Sequence, residues 1–396
     1  MAKFAVIDTR DNARRPFLRG ILTSSLQSAG LSFKQAYELA SKIRDNLDDN
    51  DDVSREQLRK EVLKQLQKHY PQEVLDRYLA KGRPPQPIMV DYGDGLLRAF
   101  SRGVHQQRLA SCCMPRKKAV QITHLIHDYL YRSGKRAISS KQISRLTYQY
   151  LRQEAGDELA DQYLVWSEFL RSERPLLLLM GGIPGSGKST LSTEIAGRLD
   201  IIRIQSTDML REVMRILIPK RLSPVLHTSS FLAGKAVDTS IGETTDTEQQ
   251  VLEGFRRQTE KVELACEAIL QRAINERVSL ILEGVHIRPT LLDHLPESDA
   301  VVVPVMLGVE RKSDLEKRIT GRSKQSKQRR AERYLDNIDA LWHIQTMLFM
   351  EADAANVPIL INTDRDIAVQ QIIGVVMGTL ENEYKDQMES LRPKIA

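Results

Sequence analysis

Pro175-Leu176-Leu177-Leu178-Leu179-Met180-Gly181-Gly182-Ile183-Pro184-Gly185-Ser186-Gly187-Lys188-Ser189-Thr190 is the stretch on which the reading of this chain turns. Its first part, Pro175 to Met180, is an unbroken apolar run of strand length. Beyond the glycines, Leu191, Ile195 and Leu199 fall on one face of a helix. Strand, glycine-rich turn and helix in that order are the context a phosphate-binding loop requires. Glycines let the backbone close on an anion, and successive N–H groups cradle it. Gly182, Ile183, Pro184, Gly185, Ser186, Gly187, Lys188, Ser189 and Thr190 are therefore the expected nucleotide-binding set. Lys188 would reach the β- and γ-phosphates, and the Ser189 hydroxyl would ligate Mg²⁺. A turn carrying Lys-Ser by chance would not need the flanking strand and helix. A nucleoside triphosphate, ATP with Mg²⁺, is the expected ligand.

Downstream, strands alternate with helices, the pattern of a parallel α/β sheet. Ile201 to Gln205, Val278 to Leu282, Ala300 to Leu307 and Pro358 to Asn362 add four strands to the first. Pro304 lacks an N–H and sits badly inside a central strand, so the fourth strand is expected to begin there. A helix from Asp366 to about Glu381 closes the domain.

Ligands of parallel sheets gather at the carboxyl ends of the strands. Asp208, just after the second strand, is the candidate for orienting or deprotonating an acceptor hydroxyl, against a plain helix N-cap. Glu283, ending the third strand, would hold Mg²⁺ with Ser189 through water, or simply end its strand. Arg211 and Arg215 lie four apart on the helix after Asp208 and share a face. Such a pair suits an acceptor that already carries a phosphate or carboxylate, although a solvated face reads equally well. His286 and Arg288 follow Glu283-Gly284 in the loop above the sheet and complete the substrate-binding candidates. After the fourth strand, Arg318, Arg322, Arg329, Arg330 and Arg333 crowd one segment. A basic flap there would close over the phosphates and exclude water; Arg322 and Arg330 are its catalytic candidates beside Lys188 and Asp208.

The first half of the chain repeats itself. Val6-Ile7-Asp8 matches Met89-Val90-Asp91, and Phe17 and Arg19-Gly20 match Phe100 and Arg102-Gly103, all 83 residues on. After a small insertion the offset is 85, as in Val53-Ser54 against Ile138-Ser139. Two copies of one unit follow, each a short β-element and then helices, joined by the proline-rich Lys81 to Pro87. Ser54 with Gln57 forms a capping box for one of those helices. The acidic run Asp48 to Asp52 reads as an exposed loop. The domain division is 1–82, 83–170 and 171–396.

The 396 residues hold 41% hydrophobic and 28% charged residues, an ordinary soluble composition. Lys and Arg exceed Asp and Glu by 58 − 52 = +6, which suits anionic small ligands as well as nucleic acid. No basic stripe with interleaved aromatics supports a nucleic-acid partner. Three cysteines, Cys112 and Cys113 adjacent, fit neither a disulfide framework nor a metal site. No run approaches the ~18 apolar residues of a membrane span, and a cytoplasmic location is the expectation. Oligomeric state is left open, a homo-oligomer included.

Both repeat copies resemble the ATP-cone, a regulatory module that binds adenine nucleotides. The resemblance rests on Pro16-Phe17-x-x-Gly20-Ile21, the Ala36-Tyr37-x-x-Ala40-x-x-Ile43 helix, and Phe100-x-x-Gly103-Val104. It implies nucleotide binding more readily in the first copy than in the second, which begins Val90-Asp91-Tyr92-Gly93-Asp94-Gly95. The rest resembles the 2-phosphoglycerate kinases. The distinctive parts are Ser206-Thr207-Asp208-Met209-Leu210-Arg211, Thr228-Ser229-Ser230, Gly254-Phe255, Glu283-Gly284-Val285-His286-Ile287-Arg288-Pro289, Arg333-Tyr334-Leu335 and Ile361-Asn362-Thr363-Asp364. The resemblance implies a P-loop kinase domain with a five-stranded parallel sheet and helical lid, preceded by two mainly helical α+β ATP-cone-like repeats. It implies transfer of the ATP γ-phosphoryl group to the 3-hydroxyl of 2-phosphoglycerate, a small phosphorylated substrate. The threonine-rich insert Asp238 to Gln250 departs from the family and borders the acceptor side. Two other readings stay open: a kinase of another phosphorylated compound such as an inositol phosphate, and a nucleotide sensor with little turnover.

Overall fold

The computed structural model describes residues 5–8, 13–47, 52–80, 87–93, 95–112, 114–133, 137–237, 247–323 and 329–392. The Lys81 to Gln86 linker, most of the acidic run and the first nine residues of the insert lie outside them. The chain divides into two compact units, residues 1–88 and 89–396.

The first unit holds a three-stranded sheet of β1 (Ala5–Asp8), β2 (Ala13–Pro16) and β3 (Asp52–Ser54), with β1 central. β1 is antiparallel to β2 and parallel to β3. Its helices Arg19–Gln27, Phe33–Asn46 and Arg55–His69 bury Leu22, Leu26, Ala36, Leu39, Ala40, Ile43, Val62 and Leu66 in one core. The expected capping box is present: Ser54 accepts from the Gln57 N–H, and Gln57 accepts from the Ser54 N–H.

The second copy repeats this arrangement in β4 (Met89–Asp91), β5 (Leu97–Ala99) and β6 (Ala137–Ser139), with the same strand order and senses. One detail differs from the sequence alignment. In the ladders Val6 faces Val53, and Val90 faces Ile138. The sheet thus equates Val6 with Val90 rather than Met89, one residue out of the helices' spacing. Side chains alternate across a strand, so the residue that packs inward sets the register. Val90 is that residue in the second copy, only 1% exposed.

The second copy packs with the large sheet inside the second unit. Ser111 Oγ donates to the Arg198 carbonyl at 2.6 Å, and Arg392 pairs with Asp161 at 2.6 Å. The sheet consists of β7 (Leu176–Gly181), β8 (Arg203–Ser206), β9 (Leu280–Gly284), β10 (Val301–Gly308) and β11 (Ile359–Ile361). All pairings are parallel, in the order β11-β10-β7-β9-β8. Helices cover both faces, which is why β7 and β9 are buried throughout rather than alternating. The long helix Thr247–Asn275 sends Val262, Cys266 and Leu270 against Leu177, Leu179, Leu280 and Leu282. The helices Lys188–Leu199 and Arg365–Glu383 pack together on the sheet.

Pro304 does not start β10 as expected; the strand runs from Val301, with Pro304 opposite Leu179. The N–H of Val301 points to β7 and that of Met306 to β11. By alternation, the nitrogen of Pro304 faces the β11 side, where pairing begins only at Met306. The missing N–H therefore breaks no ladder bond. The chain leaves central β7 toward β8 and β9, then crosses to β10 and β11, so the loop after β7 sits at the topological switch point.

Candidate active site

The glycine loop joins buried β7 to the helix Lys188–Leu199, whose N-cap is Gly187. Gly187 has φ +98°, and a Cβ there would overlap the Asn362 Nδ2. Asn362 donates to the Ser186 carbonyl at 2.8 Å, and Arg318 reaches the same carbonyl at 3.4 Å. Arg318 also donates to the Asn362 carbonyl. The outward face of the loop is thus pinned by β11's end and by the helix Lys312–Ser323. Lys188 folds across the loop and donates to the Ile183 carbonyl at 2.9 Å. The Ser186 hydroxyl is buried and has no hydrogen-bond partner among the described residues.

β7 and β9 run in register, Met180 opposite Glu283. This carries the Glu283 carboxylate to the loop, where Ser189 Oγ donates to it at 2.9 Å. The two residues expected to hold Mg²⁺ are therefore in contact. A serine hydroxyl and a carboxylate form an oxygen donor set of the kind a hard cation prefers, and the orphaned Ser186 hydroxyl in the loop suits phosphate oxygens.

Beyond β8, Ser206 is the N-cap of the helix Thr207–Leu217, without a side-chain cap bond. Asp208 lies exposed in the first turn, so its carboxylate is not the N-cap. Gly284 presses against Thr207, the residue before Asp208: a Cβ on Gly284 would overlap Thr207 Oγ1. Arg211 and Arg215 share one carboxylate: Arg211 Nη2 pairs with Glu212 Oε1 and Arg215 Nε with Glu212 Oε2, each at 2.6 Å. Arg211 Nη1 also donates to the carbonyls of Leu226 at 3.0 Å and Thr228 at 2.9 Å, tethering the turn Pro224–His227. Arg215 is the exposed member of the pair. Glu212 thus holds the two guanidinium groups on one side of the helix, as their spacing predicts.

His286 is fully buried, with Thr207 Oγ1 2.9 Å from Nδ1 and Gln258 Oε1 3.0 Å from Nε2. Burial pushes its pKa down to about 4, Arg211 and Lys188 add to the fall, and Asp208 opposes it. The imidazole is neutral and engaged on both sides. Arg288 meets Glu351 in a two-pronged pair, Nε and Nη2 each 2.8 Å from a carboxylate oxygen.

Of the basic segment, the Arg322 and Arg330 side chains lie outside the described residues; Arg333 is exposed, stacked 5.8 Å over Phe231. The arginine at the loop is Arg318. Three contributors escaped the sequence reading: Asn362, Gln258 and Thr207. Gln258 had a legible signal, a polar residue on the buried stripe of Phe255, Val262 and Cys266. Thr207 and Asn362 stood inside the family-like stretches Ser206 to Arg211 and Ile361 to Asp364 without an assigned role, because their contacts are set by what packs against them.

A parallel α/β sheet with a glycine-rich loop at its switch point and a hydroxyl–carboxylate pair beside that loop fits one class, an α/β phosphotransferase. No family model matches the chain. It is 33% identical over 289 residues to a 2-phosphoglycerate kinase of Pyrococcus horikoshii, covering 73% of this chain and 93% of the relative. With that of Pyrococcus furiosus the identity is 34% over 306 residues, 77% of this chain and 98% of the other. With that of Thermococcus kodakarensis it is 33% over 294 residues, 74% and 98%. The chain belongs to the 2-phosphoglycerate kinase family. Among the described residues, no helix is long and apolar enough to cross a membrane.

Proposed function

We propose that this protein transfers the γ-phosphoryl group of ATP to the 3-hydroxyl of 2-phosphoglycerate, giving 2,3-bisphosphoglycerate. The observation that carries the reading is the Ser189–Glu283 contact at 2.9 Å beside the loop. It joins the nucleotide loop to the strand end on the acceptor side, where family membership points to a phosphorylated acid. Phosphoryl transfer asks the protein mainly for position and charge. In this reading the loop N–H groups and Lys188 hold the β- and γ-phosphates. Ser189 and Glu283 would hold Mg²⁺, which when bound neutralises the charge between those phosphates. Asp208 accepts the proton of the attacking hydroxyl. Arg318, already at the loop, and Arg322 and Arg330 of the helical lid close over the transferring group. Arg215 is the exposed guanidinium left to meet the acceptor's phosphate. The test is a phosphorus NMR screen of the protein with ATP, Mg²⁺ and a panel of phosphorylated acids and inositol phosphates. Formation of 2,3-bisphosphoglycerate, lost in Lys188→Ala, is the expected outcome. Conversion of another compound instead rejects the acceptor, and hydrolysis without an acceptor product favours a sensor.

A regulatory reading rests on a shallow depression in the second copy, lined by Val90, Tyr92, Phe100, Ser101, His105 and Arg108 among others. The Arg98 and Arg108 guanidinium groups lie 5.3 and 6.0 Å from the Tyr92 ring. An aromatic platform with cations and hydroxyls suits an adenine nucleotide. In this reading the cone-like copies sense ATP. Arg108→Ala leaving the nucleotide response of the kinase unchanged would remove the second copy from that role.

A further inference from the structure

The hydrogen bonds around His286 form a chain with one consistent direction. Gln258 Nε2 donates to the carbonyls of Val225 at 2.5 Å and Thr228 at 3.2 Å, which leaves Oε1 to accept. His286 Nε2 must then carry the proton and donate to Oε1, so Nδ1 is the acceptor for the Thr207 hydroxyl. Thr207, His286 and Gln258 are all fully buried, and Phe255 stacks on the imidazole at 6.3 Å. A buried polar chain persists only when every member is satisfied, and each of these bonds is met.

The chain connects particular places. Thr207 precedes Asp208 and is wedged against Gly284, the residue after Glu283. At the other end, the Thr228 carbonyl is gripped by both Gln258 and Arg211. The start of the Asp208 helix, the end of β9 and the turn Pro224–His227 are thereby tied into one block. All of this lies on the β8–β9 side of the loop, whereas the contacts of Gly187, Asn362 and Arg318 lie on the β10–β11 side.

We infer that Thr207, His286 and Gln258 are positioning residues for the acceptor half of the cleft, fixing Asp208 against the Val225–Thr228 wall without touching substrate. The inference rests on the proposed phosphoryl transfer for its kinetic form. It removes His286 from substrate contact and makes the imidazole a neutral linker between two walls.

The experiment compares Thr207→Val, which keeps the shape and loses the hydroxyl, with Thr207→Ser, which keeps the hydroxyl. In steady-state kinetics with 2-phosphoglycerate, Thr207→Val raises the acceptor KM and lowers kcat, together by about 10²-fold in kcat/KM. The KM for ATP stays within about twofold, and Thr207→Ser stays within about threefold of the parent in every constant. Hydrogen exchange supplies a readout that needs no acceptor. The amides of Leu226 and Thr228, both bonded within the turn, exchange faster in Thr207→Val but not in Thr207→Ser, while the helix Lys188–Leu199 is unchanged. Equal behaviour of the two variants in kinetics and exchange overturns the inference, as does an ATP KM that rises in step with the acceptor KM. If the parent protein does not phosphorylate 2-phosphoglycerate, the acceptor assignment fails, and the exchange comparison still decides the positioning role.

Discussion

Arg288→Ala separates two roles for one residue. From its place after Glu283-Gly284, Arg288 reads as a substrate ligand; in the fold it grips Glu351 with two bonds of 2.8 Å, the side chains 11% and 23% exposed. With charge centres about 4 Å apart and an effective dielectric constant of ~20, the attraction is ~4 kcal/mol, most of it offset by desolvation. Deleting only the cation is costlier than the net worth of the pair, because Glu351 stays behind. Glu263 stays behind as well: burial already pushes its carboxyl pKa up, and Arg288 is the main influence holding it down. The expected loss is about 3 kcal/mol. In a unit of this size that lowers Tm by roughly 6–10 °C. Thermal denaturation followed by circular dichroism measures it, and the acceptor KM is read at about 25 °C. Arg288→Met with Glu351→Leu should recover most of the stability, since no charge is stranded. An unchanged Tm for Arg288→Ala, together with an acceptor KM raised about tenfold or more, would refute the ion-pair account and restore the substrate role.

Two further outcomes are expected. Gly187→Ala places a Cβ on the Asn362 amide at φ +98°, so the loop must open: the KM for ATP should rise at least about tenfold while Tm falls by only a few degrees. His286, about 4 in the fold against an ordinary 6.5, binds its proton more readily when unfolded. Its contribution is therefore complete above pH 6.5 and is lost as pH falls toward 4, on the order of 3 kcal/mol. Urea unfolding across that range should show a shallower acid loss in His286→Gln than in the parent; parallel curves would contradict a neutral, buried imidazole.

The parts of the site legible beforehand share one property: their roles are local in the chain or follow from a strand's end. The loop, Lys188 and the Ser189–Glu283 pair are of this kind, because a parallel sheet brings the carboxyl ends of adjacent strands together whatever else packs around them. Asp208 was legible as a residue at a strand end, and the helix boundary at Ser206 excluded its N-cap reading. Arg211, His286 and Arg288 were legible only as polar residues near the cleft. Their directions depend on the Leu226 and Thr228 carbonyls, Gln258 and Glu351, partners that lie 15 to 63 residues away. Spacing along the chain carries no information about such distant neighbours.

The sequence by itself determined a glycine-rich loop between a buried strand and a helix, a five-stranded parallel α/β domain and an upstream repeat, since glycine spacing, apolar runs and self-similarity are properties of the chain alone. Tertiary structure decided the rest. It decided that Pro304 sits inside a strand, because no partner faces its nitrogen there, and that the small sheets pair Val6 and Val90 as equivalents, because burial sets register. It also decided that the residues after Glu283 point inward. A side chain turns toward core or cleft according to the donors and acceptors that packing brings to it, and those are assembled only when the chain has folded.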